Sequence, residues 1–575
     1  MNTSKKINYD ILIFILVPLA FFFAMDIPFV FFNNDDFFLK QIASGELTGT
    51  PETHLLHIGY FTGVILSILY RILPGVPWYG ILLFSYGYLS IILPIYFFSQ
   101  YIEKKLSRII CSVLCVGIAL SFLSIHLISI QYTTITGIVC ASSLAFFYLA
   151  EETEDTKTYL KNTIPGFITF FLALELRNKA CIMFLPMYFF LILSKYLKNR
   201  KLFKPLFSYA VLLFILLMIS FGAEKIAYSS HDWNDFKTYN TTRENIVDYT
   251  VFPDYDRHSE TYEELGISYQ SYVAANSHYL LLLDDNINAG SLQALEKLLP
   301  GPSVNIKDMC KSLWERHIHS HMDRPLNLIV YLVYFFTVIF ILISEKKKLL
   351  WDVLAILGGR SVIWIYLAYI GRSLPRVTQG IYVAELLMLL SIIFGNRLWC
   401  IKSRKKKILQ YALCSALIIS LLCATIKWGI PNTRITIGNS QAMLSHSNMY
   451  QEIRLYFAEN NENLYLLDTL SFSYFTENIF EETSVSHNNF VSLGGWPANS
   501  PWTDSVLEQY GYDSYEQAVL EGNNVFFVFM NTKEASYDYL NDYFNEKHPG
   551  TFLTITDTFQ CSNGVEFFIL QLQSE

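Results

Sequence analysis

Stretches of about 20 apolar residues recur between residues 11 and 428, separated by short connectors in which lysine and arginine collect. A helical residue rises about 1.5 Å, so each stretch has the length needed to cross the ~30 Å hydrocarbon layer of a bilayer. Of the 575 residues 52% are hydrophobic and only 16% charged, against about 25% charged in ordinary soluble domains. The pattern predicts a mainly α chain built as a polytopic transmembrane helix bundle. About eleven spans are expected, at 11–32, 79–100, 109–129, 134–150, 163–176, 180–194, 205–222, 326–344, 350–370, 378–395 and 408–428. The first is Phe-rich and too long for a cleaved signal peptide, so it reads as a retained anchor.

The apolar segment 55–73 decides the orientation of everything after it. If it lies on the membrane surface, half of the 42 basic residues fall on one face. They are Lys5 and Lys6, then Lys104, Lys105 and Arg108, then Lys157 and Lys161, then Lys195, Lys198, Arg200, Lys201 and Lys204, then Lys346 to Lys348, and finally Arg397, Lys402 and Arg404 to Lys407. The positive-inside rule makes that face cytoplasmic. If 55–73 crossed, the N-terminal lysines would be parted from the others. The segment is therefore expected to be a juxtamembrane helix on the outer surface, ended by Arg71 and the Pro74-Gly75 turn.

The resulting expectation is a multi-pass protein of the cell membrane with a cytoplasmic N-terminus. Its transmembrane domain, 1–430, would carry a first outer loop at 33–78 with juxtamembrane helices and a long outer loop at 223–325. Residues 431–575 would lie outside, and they hold nineteen acidic residues against four basic ones. Strand-like runs at 463–469, 523–530, 551–556 and 565–572 alternate there with helical patterns at 449–458, 505–510 and 535–546. That alternation predicts a small extracytoplasmic α/β domain.

Asn33-Asn34-Asp35-Asp36 directly follows the first span. One aspartate is enough to cap a helix; a second exceeds that need. A carboxylate half removed from water beside another carboxylate has a raised pKa and suits general-base work. Glu175-Leu176-Arg177-Asn178-Lys179 interrupts two apolar runs, where a plain interfacial turn with snorkelling cations is the alternative. Arg372 and Arg376 stand in an outer loop of only about seven residues, against the positive-inside trend of the short loops. Guanidinium forks suit phosphate, and pairing with Asp35 or Asp36 is the competing structural use.

Glu52, His54 and His57 share the first loop without metal-like spacing, so no metal is expected. Asp26 reads either as an intramembrane acid or as a group at the outer end of its span. In the long loop Trp233, Tyr239, Arg243, Tyr249, Tyr255 and Asp256 mix aromatic and polar groups in the manner of sugar-contacting surfaces. The nine cysteines lack paired spacing, and only Cys310 and Cys561 fall in outer segments, where one disulfide is open to them. Walker, Gly-x-Ser-x-Gly and His-Glu-x-x-His patterns are missing, which leaves nucleotide hydrolysis and soluble-type hydrolase chemistry without support. The segment 492–502, with Gly494-Gly495-Trp496, has no assigned role.

An acidic pair outside the first span, a surface helix in the first outer loop, about eleven spans and a soluble outer C-terminal domain together resemble the GT-C superfamily of membrane glycosyltransferases. The likeness extends to protein O-mannosyltransferases, to lipid A aminoarabinose transferases and especially to bacterial members with a first-loop Asn-Asp-Asp sequence. It covers the membrane part, about three quarters of the chain. It implies a polyprenyl-phosphate sugar donor, an envelope polysaccharide or glycolipid acceptor on the outer face, a lipid surround, no cofactor and no nucleic acid. Asp35 matches the leading catalytic acid, with Asp36 where a glutamate usually stands. Arg177, Lys179, Arg372 and Arg376 take the place of donor-phosphate cations. Glu52 and His54 are similar in place to a His/Pro motif, and with Trp233, Tyr239 and Arg243 they are the expected substrate contacts. A transporter or flippase, or a polymerase, of lipid-linked saccharides is the alternative; transport predicts polar groups near mid-bilayer.

Overall fold

The computed structural model describes residues 9–300, 305–400, 404–483, 488–531 and 537–574. Lys5, Lys6, Lys402 and Lys533, and the first residues of the helix expected at 535–546, lie outside the described residues. Among the described residues nine helices are long and apolar enough to cross a membrane. They are Trp78–Ser99, Lys105–Leu123, Tyr132–Leu149, Asn178–Lys198, Arg200–Ala227, Leu326–Ile343, Lys347–Tyr369, Pro375–Gly395 and Lys407–Glu459. The first and fifth expected spans appear as shorter apolar helices, Tyr9–Ala24 and Ile164–Leu176.

The first helix stops eight residues before the expected end of its span. Asp26 takes a left-handed backbone (φ 49°) in an exposed turn just before Pro28, and both residues end the helix. Asp26 is thus outside the helix rather than within it. The apolarity of Phe29 to Phe31 serves packing instead: these residues are buried, and Ile479 N donates to Phe29 O at 3.2 Å.

Segment 55–73 forms the helix Tyr60–Ile72, whose 13 residues make only ~20 Å. Gly59 N donates to Glu175 O at 2.8 Å, and Tyr79 N donates to the Tyr70 hydroxyl at 3.0 Å. Glu175 ends one apolar helix and Tyr79 begins another, so both ends of Tyr60–Ile72 meet the same end of the bundle.

The short basic loops meet at the other end. Arg397 pairs with Glu103 at 2.8 Å, Lys201 with Glu154 at 3.3 Å and Lys198 with buried Asp352 at 2.7 Å. In the bundle the helices Tyr132–Leu149 and Pro375–Gly395 approach backbone to backbone. A Cβ on Gly137 would sit 2.7 Å from Gly380 Cα, so neither position accepts a larger residue without separating the helices.

The helix Arg404–Ala424 continues through the π turn Thr425–Gly429 into Ile430–Glu459. Pro431 lacks the N–H that a regular turn would donate, and the wide turn absorbs that loss. Residue 430, the expected domain boundary, and the expected helix 449–458 therefore belong to one rod.

Seven strands are named in chain order: β1 (Val30–Phe31), β2 (Ser129–Ile130), β3 (Leu464–Leu467), β4 (Phe490–Ser492), β5 (Val525–Met530), β6 (Thr551–Gln560) and β7 (Glu566–Ser574). The last five form one sheet in the order β4-β3-β5-β7-β6. β3 pairs in parallel with β4 and β5, while β7 is antiparallel to β5 and β6. Strand β4 and the helix Tyr515–Glu521 are too short for a periodicity signal and were not expected.

The sheet domain is bonded to both long loops. Buried Lys40 pairs with Glu46 at 2.8 Å and with Glu477 at 2.7 Å. Gln41 donates to the Tyr450 hydroxyl at 2.7 Å, and Tyr543 donates to Leu283 O at 2.8 Å. All nine cysteines are free; Cys561 is buried and Cys310 exposed, so no disulfide joins them.

Candidate functional site

Strands β1 and β2 pair in parallel, and Phe32 N donates to Ile130 O at 2.8 Å. This short ladder holds the start of the helix Asn34–Ser44 against the start of Tyr132–Leu149. Consecutive helical residues point about 100° apart, so Asp35 and Asp36 face different surroundings. Asp36 is fully buried. Its Oδ1 accepts from the Tyr79 hydroxyl at 2.9 Å and from Tyr132 N at 3.1 Å, while Oδ2 has no hydrogen-bond partner. Burial, aided by the neighbouring Asp35 charge, pushes the Asp36 carboxyl well above the usual carboxylate range despite those two bonds. Asp35 instead lines a cavity of about 480 Å³. Asn33 donates to its Oδ2 at 2.8 Å, and Arg376 Nη1 lies 3.7 Å from the same oxygen.

The cavity gathers Arg177, Lys179, Arg243, Arg372 and Arg376 around three carboxylates, Asp35, Glu244 and Asp248. Lys179 pairs with Glu244 at 3.2 Å and Arg243 with Asp248 at 3.1 Å. Arg177 donates to the Tyr132 and Thr133 hydroxyls, each at 2.5 Å, and its guanidinium lies 4.7 Å from the Tyr132 ring centre. Arg372 lies over the Tyr249 ring at 4.6 Å. Among the described residues neither Arg177 nor Arg372 has a carboxylate as ion-pair partner, so the wall keeps unneutralised positive charge. Thr134 donates to Arg376 O at 3.3 Å, which couples the arginine loop to the Gly137–Gly380 crossing below it.

A second wall is apolar. Ala180, Met183, Tyr366, Leu367, Ile370 and Val377 come from three of the membrane-length helices or their ends. A third wall carries no formal charge and comes from the loops: His57, Tyr279, Leu281, Thr469, Gly495 and Trp496. The His57 ring lies 4.7 Å from Trp496 and 6.4 Å from Tyr132. Burial first, then the charges of Arg177, Lys179, Arg243 and Arg376, hold His57 well below the usual histidine range, so its imidazole is neutral.

The structure brings Asp35, Arg177, Lys179, Arg243, Arg372 and Arg376 together. The pairing of Arg376 with Asp35, which competes with phosphate recognition, is also present at the long distance of 3.7 Å. Asp36 lies behind the cavity rather than in it. Glu52, His54, Trp233 and Tyr239 do not line it either. His54 Nδ1 lies 2.8 Å from Glu52 Oε1, its Nε2 lies 3.1 Å from Ala227 O, and its ring stacks on Trp233 at 4.5 Å. Burial opposes ionisation of Glu52, yet the hydrogen bonds from His54 hold it down to about 2. Trp233 packs in turn on Trp502 at 5.1 Å, and Tyr239 is buried. These residues cement the first loop to the long loop and to the helix Pro501–Gln509.

Of the aromatic and polar group expected in the long loop, Tyr249 also lines the cavity while Tyr255 and Asp256 do not; His57, Tyr132, Thr133, Thr469 and Trp496 were not foreseen as site residues. Only the Gly494-Gly495 pair marked its neighbourhood. Among the described residues no cluster of three His, Cys, Asp or Glu side chains has metal-holding geometry. Compared with protein-family models, with curated proteins and with solved structures, the chain gives no match.

Proposed function

We propose that this chain is a membrane glycosyltransferase of the GT-C type, moving a sugar from a polyprenyl phosphate to a hydroxyl of an envelope polysaccharide or glycolipid. In this reading eleven helices span the membrane, the basic loops are cytoplasmic, and the cavity and the C-terminal domain face outward. One observation carries it: a single cavity combines Asp35, a surplus of cations and an apolar wall from membrane-length helices. That combination fits an amphiphile with an anionic head, the apolar wall taking the isoprenoid chain and the guanidinium groups the phosphate.

Asp35 removes the proton from the acceptor hydroxyl as its oxygen forms a bond to the anomeric carbon. The bond from that carbon to the phosphate oxygen breaks, and its electron pair leaves on the lipid phosphate with inversion at the carbon. Arg177, Arg372 and Arg376 stabilise the negative charge that grows there. The test is purified protein in lipid nanodiscs with a panel of polyprenyl-phosphate sugars, alongside envelope glycan analysis of cells with and without the gene. Loss of one sugar from the envelope and Asp35-dependent turnover of one donor support the proposal; an unchanged envelope and an inert panel reject it.

One observation favours transport instead. Arg360, midway along Leu350–Tyr369, pairs at 2.8 Å with fully buried Glu385, midway along Pro375–Gly395. Arg360 also donates to His317 Nε2 at 3.0 Å. Charged groups deep within apolar helices mark ion and substrate pathways. Movement of a fluorescent polyprenyl-phosphate sugar across liposomes that survives Asp35→Asn and fails in Glu385→Gln would favour this second reading.

A further inference from the structure

We propose that Trp496, with His57 and Thr469, forms a saccharide-recognising wall, so that the C-terminal domain rather than the membrane bundle selects the sugar. This deepens the transferase reading and rests on it. The Gly494-Gly495-Trp496 motif has a geometric cause. Gly494 forms a bridge with Leu280 of the long loop, Leu282 N donates to Leu493 O at 3.0 Å, and a Cβ on Gly494 would collide with the Tyr279 carbonyl oxygen. Gly495 then turns with φ +85°, a conformation natural only to glycine. The turn delivers Trp496 to the mouth of the first loop.

There the indole meets Phe38 at 5.3 Å and 79°, His57 at 4.7 Å and 58°, and Trp502 at 5.7 Å and 88°. All three contacts are edge-on or tilted, and among the described residues no aromatic ring stacks parallel to the indole. The ring is half-buried and lines the cavity. A pyranose presents C–H groups on its ring faces and hydroxyls around its rim. An indole face takes the former by dispersion and by its negative quadrupole. The neutral imidazole of His57 both donates and accepts hydrogen bonds. Thr469 donates to Tyr279 O at 3.2 Å, which leaves its hydroxyl oxygen free to accept from a sugar. From Trp496 the contacts run to His57, then Tyr132, then Arg177. That is the order of a sugar ring followed by its phosphate.

The experiment uses the full chain in nanodiscs and measures binding of a long-chain polyprenyl phosphate, of its mannosyl, glucosyl and galactosyl phosphodiesters, and of the corresponding methyl glycosides. One glycosylated lipid is expected to bind more tightly than the bare lipid phosphate. Trp496→Leu should weaken that ligand about tenfold and leave the bare lipid phosphate unchanged, as expected for an aromatic contact of ~1.4 kcal/mol. Trp496→Phe should retain most of the affinity, and unchanged thermal midpoints confirm that both variants fold. Equal weakening of bare and glycosylated lipid by Trp496→Leu, or no gain from any sugar in the unmodified protein, overturns the inference. Methyl glycosides separate the two claims. If the polyprenyl phosphate fails to bind but a methyl glycoside binds in a Trp496-dependent way, the lipid reading falls and the wall stands; if the lipid binds and no glycoside depends on Trp496, the reverse holds.

Discussion

At the scale of single residues, the two neighbouring aspartates have separate tasks, because one faces a cavity and the other is sealed behind it. Asp35→Asn is expected to reduce sugar transfer by about 10²–10⁴, the usual range for a general base, with abundance unchanged. Asp36→Asn should keep most of that activity, since this side chain is sealed behind the cavity and an amide oxygen can still accept from the Tyr79 hydroxyl and Tyr132 N. Asp36 also sets a pH dependence. Its carboxyl is raised in the folded chain, so the folded form keeps a proton that the unfolded chain loses above pH ~4. Stability from this group is greatest at low pH and declines as pH climbs from ~4 toward the raised value. Unfolding in detergent across that range should show the decline in the native protein and its loss in Asp36→Asn; an identical slope in both rejects the assignment. Arg177→Gln and Arg372→Gln should each weaken binding of a lipid phosphate several-fold, measured in nanodiscs at fixed salt, because among the described residues neither has a carboxylate as ion-pair partner.

At the scale of elements, the decisive joint is the helix Asn34–Ser44. Its first turn presents Asp35 to the cavity, and Lys40 on its later turns binds Glu46 and Glu477 in a buried cluster. The acid at the cavity and the docking of the sheet domain are therefore positioned by one element. Lys40→Ala removes the cation that Glu46 and Glu477 share in this buried cluster and should cost about 3–5 kcal/mol, read as a lower unfolding midpoint. Lys40→Met combined with Glu477→Gln should recover part of that loss, since it removes one buried cation together with one of its two carboxylates and leaves Glu46 beside Arg454. A second joint is the crossing at Gly137 and Gly380. It brings the helix bearing Tyr132 and Thr133 next to the helix whose first turn holds Arg376, and so controls the width of the cationic wall.

At the scale of the whole molecule, the basic loops meet at one end of the bundle, while the acidic sheet domain, both long loops and the cavity occupy the other. The proposed orientation makes a direct prediction. In a Cys310→Ser, Cys423→Ser background, a membrane-impermeant maleimide should label Asn563→Cys in intact cells and label exposed Cys400 only after permeabilisation. The opposite pattern inverts the topology and removes the cavity from the outer face.

Hydropathy was enough to mark the nine membrane-length helices among the described residues, because a bilayer crossing needs a long apolar run. Read with the distribution of basic residues, it also exposed the unusual charges at 35, 177, 372 and 376, since each interrupts or opposes that pattern. Phe29 to Phe31 and the pair Glu52–His54 show the limit: apolar or polar character in a loop looks the same whether it meets lipid, substrate or another loop. Which of two adjacent aspartates is sealed and which is open, which histidine reaches the cavity, and how a Gly-Gly turn 460 residues after Asp35 brings Trp496 beside His57 depend on contacts between distant segments. Local periodicity carries no trace of such contacts; only the folded chain, with its helices crossed and its sheet domain bound to both loops, decides them.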